Sequence, residues 1–559
     1  MGDMTRRGFL KGAAVAPLVL KPLAAIGQQG PRPERYDVVV AGAGHNSLIT
    51  AAYLCKAGYR CVVLEGRPTI GGGVKTAELT LRGFKDDVCS TAQYFIQSNP
   101  MLRNNEIPLR DYGLEYIDPD PILHMAFLDG THITQWRDVE RTIAEFSKFS
   151  KRDGAAYRRM YEEFNSVAPI FRESTFTPIG FGPSLPERLA AHPRGKLWQR
   201  RLAMAAWEII KANYEDEHTR AFMVFMAHIT SEAPDAPVSG RVAYTAFGQQ
   251  HSGRPMPKGG SGKLAEALGG YIEAHNGVIL PNKWVERFII ENGRCVGVEC
   301  SDGTSYRADK AVVSTVHIKH LVDMAPRELW PQDFLDGVDT WQAEEAMFVS
   351  HYATTAPPVF PLEGGGTISP AETGLLVSPE RALRVAFDDA CGNINTEDPP
   401  MHCICCTSAD PTRAPAGMHT LKLVTWYPYD IKQGPEHWDE IKKQVAEANL
   451  RQLRRFCPSL TPDKFLGEFI ESPIDFERMN PHFWHGSAHG GAQNAAQTGP
   501  MRPMPGWAQH RMPIPGLYQT GACTFDILEH SVCRTESRTT GCAGFASSIT
   551  TVRWRWSLI

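Results

Sequence analysis

The stretch from Tyr36 to Thr76, YDVVVAGAGHNSLITAAYLCKAGYRCVVLEGRPTIGGGVKT, limits the fold more than any other part of the chain. Val38, Val39 and Val40 are β-branched and predict a strand. They run into Gly42-Ala43-Gly44, and an apolar helix is predicted from about Ser47 to Ala57. A second strand, Cys61 to Leu64, ends on an acid, Glu65. This order of elements is a βαβ unit suited to holding a dinucleotide. Gly42 permits the tight turn, with Ala43 between the glycines. Gly44 lets a pyrophosphate approach the backbone and the helix N-terminus, whose unpaired N–H groups and dipole favour an anion. Glu65, about 20 residues on, can accept hydrogen bonds from ribose hydroxyls. One position departs from the fingerprint. Ser47 stands where a third glycine usually allows close helix–strand packing, and a residue only slightly larger is expected to be tolerated there.

The residues after Glu65 choose between dinucleotides. Gly66 leads into Arg67-Pro68-Thr69-Ile70-Gly71-Gly72-Gly73-Val74-Lys75-Thr76. This fits an R-x-x-x-G-G-x-x-x-T pattern that resembles large flavin-dependent oxidoreductases. There a second glycine turn lies beside the pyrophosphate and an arginine supplies a fixed positive fork. A nicotinamide enzyme needs no such turn, so FAD is favoured over NAD.

Further downstream come Pro257-Lys258-Gly259-Gly260-Ser261-Gly262-Lys263-Leu264, Gly277-Val278-Ile279, Val285-Glu286-Arg287, Gly293-Arg294-Cys295-Val296-Gly297-Val298 and Ala311-Val312-Val313-Ser314-Thr315. Pro505-Gly506-Trp507-Ala508-Gln509 and Pro515-Gly516-Leu517-Tyr518-Gln519-Thr520-Gly521-Ala522 close the series. In this order the chain resembles the phytoene-dehydrogenase-related flavoproteins, which include carotenoid desaturases, a ketolase branch and retinol saturase. The resemblance covers nearly everything after residue 35. It implies an α/β fold: a Rossmann-like FAD-binding domain, of the glutathione-reductase and amine-oxidase kind, interleaved with an α+β substrate domain. It places Gly42 and Gly44 at the pyrophosphate, Glu65 at the adenosine ribose, and Arg67, Gly71, Gly72 and Gly73 along the second turn. Val285 matches the residue whose backbone contacts adenine. Gly521 and Thr524 match the segment that lies against the ribityl chain and flavin.

Relatives continue from such a Gly-x-x-Thr into a glycine- and proline-rich turn and a small-residue helix. Here the chain reads Phe525-Asp526-Ile527-Leu528-Glu529-His530 and has no glycine again until Gly541. Either the flavin floor is built differently, or residues 525–559 are an aberrant tail from a shifted reading frame.

At the other end, Thr5-Arg6-Arg7-Gly8-Phe9-Leu10-Lys11 resembles a twin-arginine export signal. The apolar stretch Ala13 to Leu20 follows, too short to span a bilayer, and Ala25-Ile26-Gly27 offers a small-residue cleavage site. The competing reading is a basic tail without an export role. Export by that machinery moves folded proteins, so FAD would be inserted in the cytoplasm first and the enzyme would work in the periplasm or another extracytoplasmic space of a bacterium. Peripheral contact with a membrane is compatible with that location.

Charge and cysteine usage narrow the partners. The chain of 559 residues carries a net −4. Arg6, Arg7, Lys11 and Lys21 against Asp3 give the signal segment +3, so the remainder holds about −7, which argues against nucleic acid. Thirteen cysteines follow no disulfide rhythm, and an odd number leaves a free thiol or an intermolecular bond. His402-Cys403-Ile404-Cys405-Cys406 reads as a buried strand in preference to a metal or redox pair. His482, His485 and His489 fall within eight residues and admit a metal triad, a solvated loop or a substrate wall. His485 is the candidate wall residue, and no metal ligand set is assigned. No Gly-x-Ser-x-Gly elbow supports a hydrolase.

The expected organisation is a signal peptide over 1–27 and FAD-binding segments over 28–100, 251–330 and 491–559. A mainly helical substrate region over 101–250 and a second substrate region over 331–490 lie between them. Helices are expected over Val139 to Lys151, Leu197 to Tyr214 and Trp438 to Phe456. The expected reaction is dehydrogenation of a C–H bond in an apolar, polyene-like or alicyclic substrate by hydride transfer to flavin N5, with oxygen or a quinone taking the electrons. The alternatives are an oxidase of a small amine or alcohol, and a flavin-binding partner protein without catalysis.

Overall fold

The computed structural model describes residues 35–524. The first strand β1 (Arg35–Ala41), helix α1 (His45–Lys56) and strand β2 (Cys61–Leu64) form the expected unit. Strand side chains alternate between faces, and both faces of β1 are buried. Val38 and Val40 join the core beneath α1 and the helix Gly262–Ala274. Val39 turns the other way, into a core with Phe334, Val338 and Trp341. A strand buried on both faces reads as a continuous apolar run, and that is why Val38-Val39-Val40 carries no polar alternation.

β1 pairs in parallel with β2 and with Ser305–Ser314, and β2 pairs with Val278–Leu280. Leu517–Gln519 adds in parallel to Ser305–Ser314. Val285–Glu291 and Arg294–Cys300 complete the sheet as antiparallel strands beyond Ser305–Ser314. The core of this unit runs past residue 330, because Phe334, Leu335, Val338 and Trp341 pack into it.

A second seven-stranded sheet takes strands from two distant stretches. Leu123–Ala126 and His132–Gln135 come from the otherwise helical segment, and Glu372–Leu375, Met401–Ile404, His419–Trp426, Met347–Thr354 and Phe465–Glu471 from the later one. One face carries Tyr352, Met401, Cys403, Leu421 and Leu423 against Leu453 and Phe456. These last two belong to the helix Trp438–Phe456, whose Glu440, Lys443 and Glu447 are exposed, as its amphipathic pattern predicts. The other face, with Val349, Ile404, Val424 and Trp426, looks towards the first unit. Met401–Ile404 is a buried strand, which accounts for Cys403.

Two expected helices are each divided. Ser150 is extended and caps the next helix through its hydroxyl, which accepts from Asp153 N–H, so Val139–Phe149 and Lys151–Thr175 are separate. Met204 and Ala205 are extended between Gly195–Ala203 and Ala206–Asn213. There the Ser239 hydroxyl receives the Ala206 N–H at 2.9 Å, a cap supplied from elsewhere in the chain that local periodicity does not reveal. Among the described residues no helix is long and apolar enough to cross a membrane.

Arg413 fastens the two units together. Its side chain is fully buried and ion-paired with Asp87 and Asp410, and it donates to the Pro257 carbonyl at 2.9 Å. Asp87 in turn accepts the Ser261 N–H at 2.8 Å, just before the helix Gly262–Ala274. Arg413→Leu leaves two buried carboxylates without their cation, and it is expected to lower stability by about 3–5 kcal/mol. Urea unfolding of parent and variant measures this, and a loss under 1 kcal/mol contradicts the assignment.

Candidate functional site

Two glycine turns meet at the carboxyl ends of β1 and β2, where open α/β sheets bind ligands. In the first, Gly42 has φ +97°, and a Cβ there would lie 2.3 Å from the Thr315 hydroxyl. Only glycine fits. Gly44 is different in kind. Its φ is −66°, and a Cβ built on it would meet nothing within 4 Å. The backbone conformation does not call for glycine at this position, but the space in front of it does. That space lies before the first turn of α1, where no side chain caps the free N–H groups.

Ser47 does more than fit. Its buried hydroxyl lies 2.6 Å from the Gly42 carbonyl and 2.9 Å from that of Gly44, and it shares its single proton between them. The serine fits at this packed position, and its hydroxyl also ties the loop to the helix.

The second turn docks on the first through backbone alone. Gly71 N–H donates to the Ala43 carbonyl at 2.7 Å, and Gly71 bridges Gly44 as an isolated parallel pair. Gly72 has φ +59°, and a Cβ on it would come within 3.0 Å of Gly44 Cα. The Gly73 carbonyl accepts Ser90 N–H at 3.0 Å, and a Cβ at Gly73 would stand 3.7 Å from the Phe483 ring. Thr76 closes the motif, its hydroxyl donating to Asp87 and receiving Gly262 N–H, both at 2.9 Å.

Glu65 ties the two turns together. One carboxylate oxygen accepts Ala43 N–H at 3.1 Å and the other accepts Arg67 N–H at 3.0 Å. Each oxygen keeps a lone pair for a further donor. Gly66 lies under the indole of Trp284, whose Cε3 would be 2.5 Å from a Cβ there. Lys283 N–H donates to the Glu65 carbonyl at 2.7 Å. Val285 begins the following strand and packs its side chain into the core beside β2, leaving Trp284 as the side chain that touches Gly66. The Arg67 guanidinium donates to the Arg478 carbonyl at 3.2 Å, so it links the turn to the helix Pro473–Met479. Burial lowers its pKa, and neighbouring Glu65 opposes that shift.

The last described residues close the site. Gly521 has φ +94°, and its Cβ position lies 3.4 Å from Thr315 Cγ2 and 3.9 Å from Asn46 Cβ. Thr524 is buried and its hydroxyl donates to the Gly521 carbonyl at 2.8 Å. The tail from Phe525 onward and the segment with Arg6 and Arg7 lie outside the described residues.

The three histidines of the 482–489 loop point in different directions. His485 has φ +51° and stacks on Tyr429 with centroids 4.5 Å apart, its Nδ1 3.5 Å from Asp430. Its ring also lies beside that of Trp484, with centroids 4.0 Å apart. His489 is held by the buried Glu344, whose carboxylate accepts the His489 backbone N–H at 2.7 Å and lies 2.8 Å from the ring. His482 turns inward to Thr315. The sequence reading gave no separate role to His482, Thr315, His45 or Trp284. Thr315 ends the Ala311–Thr315 run, which is the one local signal that could have found it.

The model of the flavin containing amine oxidoreductase family matches residues 157–532, and that of an NAD(P)-binding Rossmann-like domain matches residues 40–104. The chain belongs to the flavin containing amine oxidoreductase family. Like that family, it is an FAD-dependent oxidoreductase. It is 25% identical over 519 residues to a limonene dehydrogenase component from Castellaniella defragrans, covering 88% of this chain and 91% of the relative. It is also 25% identical over 506 residues to all-trans-zeta-carotene desaturase of Myxococcus xanthus, covering 87% and 89%. Its fold is similar to that of an oxidoreductase from Methanosarcina mazei, with a TM-score of 0.56, 18% identity and coverage of 87% and 94%.

The residues present fit FAD. The open space at Gly44, the uncapped helix N-terminus and the spare lone pairs of Glu65 suit a diphosphate flanked by a ribose. His45, which opens α1, has a buried Nε2 with no hydrogen-bond partner among the described residues, and burial brings its pKa down to about 4. Gly44→Val should abolish FAD binding while leaving the fold intact, since its Cβ enters the ligand space and not the core. Flavin content and far-UV circular dichroism of the purified variant check both halves. Ser47→Gly should cost about 1–2 kcal/mol, from a lost hydrogen bond and a glycine inside a helix. Thermal unfolding compared with the parent measures it, and unchanged stability contradicts the tying role.

Proposed function

We propose that this FAD-dependent oxidoreductase dehydrogenates a C–H bond of an apolar, polyene-like or alicyclic substrate. The observation that supports this reading is the apolar cluster between the second sheet and the glycine turns. Val349, Ile404, Val424, Trp426, Phe476 and Phe483 form it, with Cys89 and Met347 at its margin. Phe483 reaches Gly73, so apolar surface borders the second turn itself. Burial there raises the Cys89 thiol to about 11, which keeps it neutral. Such a wall favours a hydrocarbon and offers a small polar substrate little to hydrogen-bond. The name of the limonene dehydrogenase relative agrees with this class.

When bound, FAD supplies the acceptor for the two electrons of the broken C–H bond. Trp426 and Phe483, both buried, would keep water from this side. The chain also holds the loop 87–90 in place: Lys422 donates from Nζ to the carbonyls of Asp87 and Cys89, and Ser90 donates to that of Gly73. Oxidation of a small amine or alcohol is the second reading, favoured by the buried carboxylates of Glu344 and Glu345 in the segment that precedes Met347–Thr354. Anaerobic bleaching of the flavin separates the two. A monocyclic or polyene hydrocarbon should bleach it, and simple amines and alcohols should not. Bleaching by amines alone, with hydrogen peroxide formed in air, would replace the proposal by the second reading.

The location proposed for this activity is extracytoplasmic, with oxygen or a quinone as final electron acceptor. Arg6 and Arg7 ahead of a short apolar run support it, since two guanidiniums offer planar donor forks that lysine lacks. Arg6→Lys together with Arg7→Lys should leave flavin-loaded protein in the cytoplasm, whereas the parent should be recovered outside it and shortened by about 27 residues. Fractionation with flavin measured in each compartment decides this, and a cytoplasmic parent with an intact N-terminus leaves the basic-tail reading in place.

A further inference from the structure

We infer that His482 is a binding residue for the flavin half of the cofactor, accepting a hydrogen bond at Nε2 from a hydroxyl of the ribityl chain. The inference rests on the FAD assignment and goes beyond the residues named for it so far.

The position of the ring comes first. His482 Nδ1 lies 3.0 Å from the Thr315 carbonyl oxygen. Thr315 is the residue on which the site converges. Its hydroxyl touches the Cβ position of Gly42, its methyl touches that of Gly521, and its N–H donates to the Ala41 carbonyl at 3.0 Å. On the far side, His482 Nε2 stands 3.0 Å from the Cβ position of Gly490, which also meets Ala522 at 3.2 Å. The imidazole is therefore wedged between the first glycine turn and the closing segment Gly521–Thr524. His317 packs on it edge-on with centroids 5.5 Å apart, which fixes the plane of the ring.

The tautomer follows from the partner. A carbonyl oxygen only accepts, so Nδ1 must carry the proton that it donates to Thr315. A neutral imidazole has one proton, and Nε2 then presents a lone pair. Burial, with Arg502, His320 and His45 nearby, keeps the ring neutral by bringing its pKa down to about 4. Among the described residues nothing hydrogen-bonds to Nε2, and this nitrogen is not among the sealed, partnerless ones.

The lone pair selects the ligand group. It repels a phosphate oxygen and needs a donor. The ribose hydroxyls of the adenosine are already provided for at Glu65, whose carboxylate accepts the N–H groups of Ala43 and Arg67. The remaining hydroxyl donors of FAD are on the ribityl chain. An acceptor at this position would thus hold the flavin half of the cofactor without touching the diphosphate.

The test compares parent, His482→Phe and His482→Gln, each stripped of FAD and titrated with FAD, with ADP and with the 2′-, 3′- and 4′-deoxyribityl analogues of FAD. His482→Phe should weaken FAD about tenfold and leave ADP binding unchanged. His482→Gln, which keeps an acceptor oxygen, should recover most of the loss. One deoxy analogue should bind the parent about tenfold more weakly than FAD, yet bind His482→Phe as FAD does. Equal losses of FAD and ADP in His482→Phe would show that the ring only packs, and an unchanged FAD affinity would show no contact; either overturns the inference. If every deoxy analogue binds the parent as FAD does, the ribityl assignment fails. A parent that takes up ADP but no FAD would instead overturn the cofactor assignment, so the two failures are distinct.

Discussion

The contact between two backbones, Gly71 N–H on the Ala43 carbonyl with Gly72 against Gly44 Cα, is the constraint on which the site depends. No side chain intervenes. The turns approach this closely because Gly72 lacks a Cβ, which would come within 3.0 Å of Gly44 Cα, and the approach lets one carboxylate, Glu65, bind an N–H from each turn. Anchoring both turns to a buried acid at the end of β2 fixes the ligand space by covalent geometry and hydrogen bonds, independently of any ligand. The site is therefore preorganised, and less of the binding free energy is lost to ordering loops.

Around that contact the chain is woven from distant pieces. Thr315 and Ala41 are 274 residues apart in sequence, and Arg67 and Arg478 are 411 apart, yet each pair is hydrogen-bonded. The second sheet is built in the same way, joining Leu123–Ala126 in parallel to Glu372–Leu375. One face packs on the helix Trp438–Phe456, and the other belongs to an apolar cluster whose Phe483 reaches Gly73. Arg413 locks the units by satisfying carboxylates from both Asp87 and Asp410, so their relative position is set by a buried charge as well as by shape.

The nucleotide-binding unit was legible in the sequence because its signals are local. Glycine at a forced φ, β-branched runs and an acid at a fixed distance are written within forty residues of one another. Gly521 and Thr524 were legible only through resemblance, and the structure brings Gly521 beside Thr315 and Asn46. The misjudged positions share a physical cause. The break at Ala203–Ala206 depends on Ser239, and the inward turn of His482 depends on Thr315; neither partner is near in sequence. His485 has a left-handed backbone that a non-glycine residue does not advertise. Ser47 was read by size, whereas its role lies in its proton.

The parallel pairing of β1 with Ser305–Ser314, and of that strand with Leu517–Gln519, has a consequence for biogenesis. During synthesis the glycine turn leaves the ribosome early, but the strands that flank and complete its sheet emerge late. Until then β1 and β2 present open, apolar edges, a state prone to misassociation. A topology so rich in long-range pairs folds slowly, since loop closure precedes the contacts that reward it. The sheet that carries the nucleotide site is thus complete only once Leu517–Gln519 is available to pair.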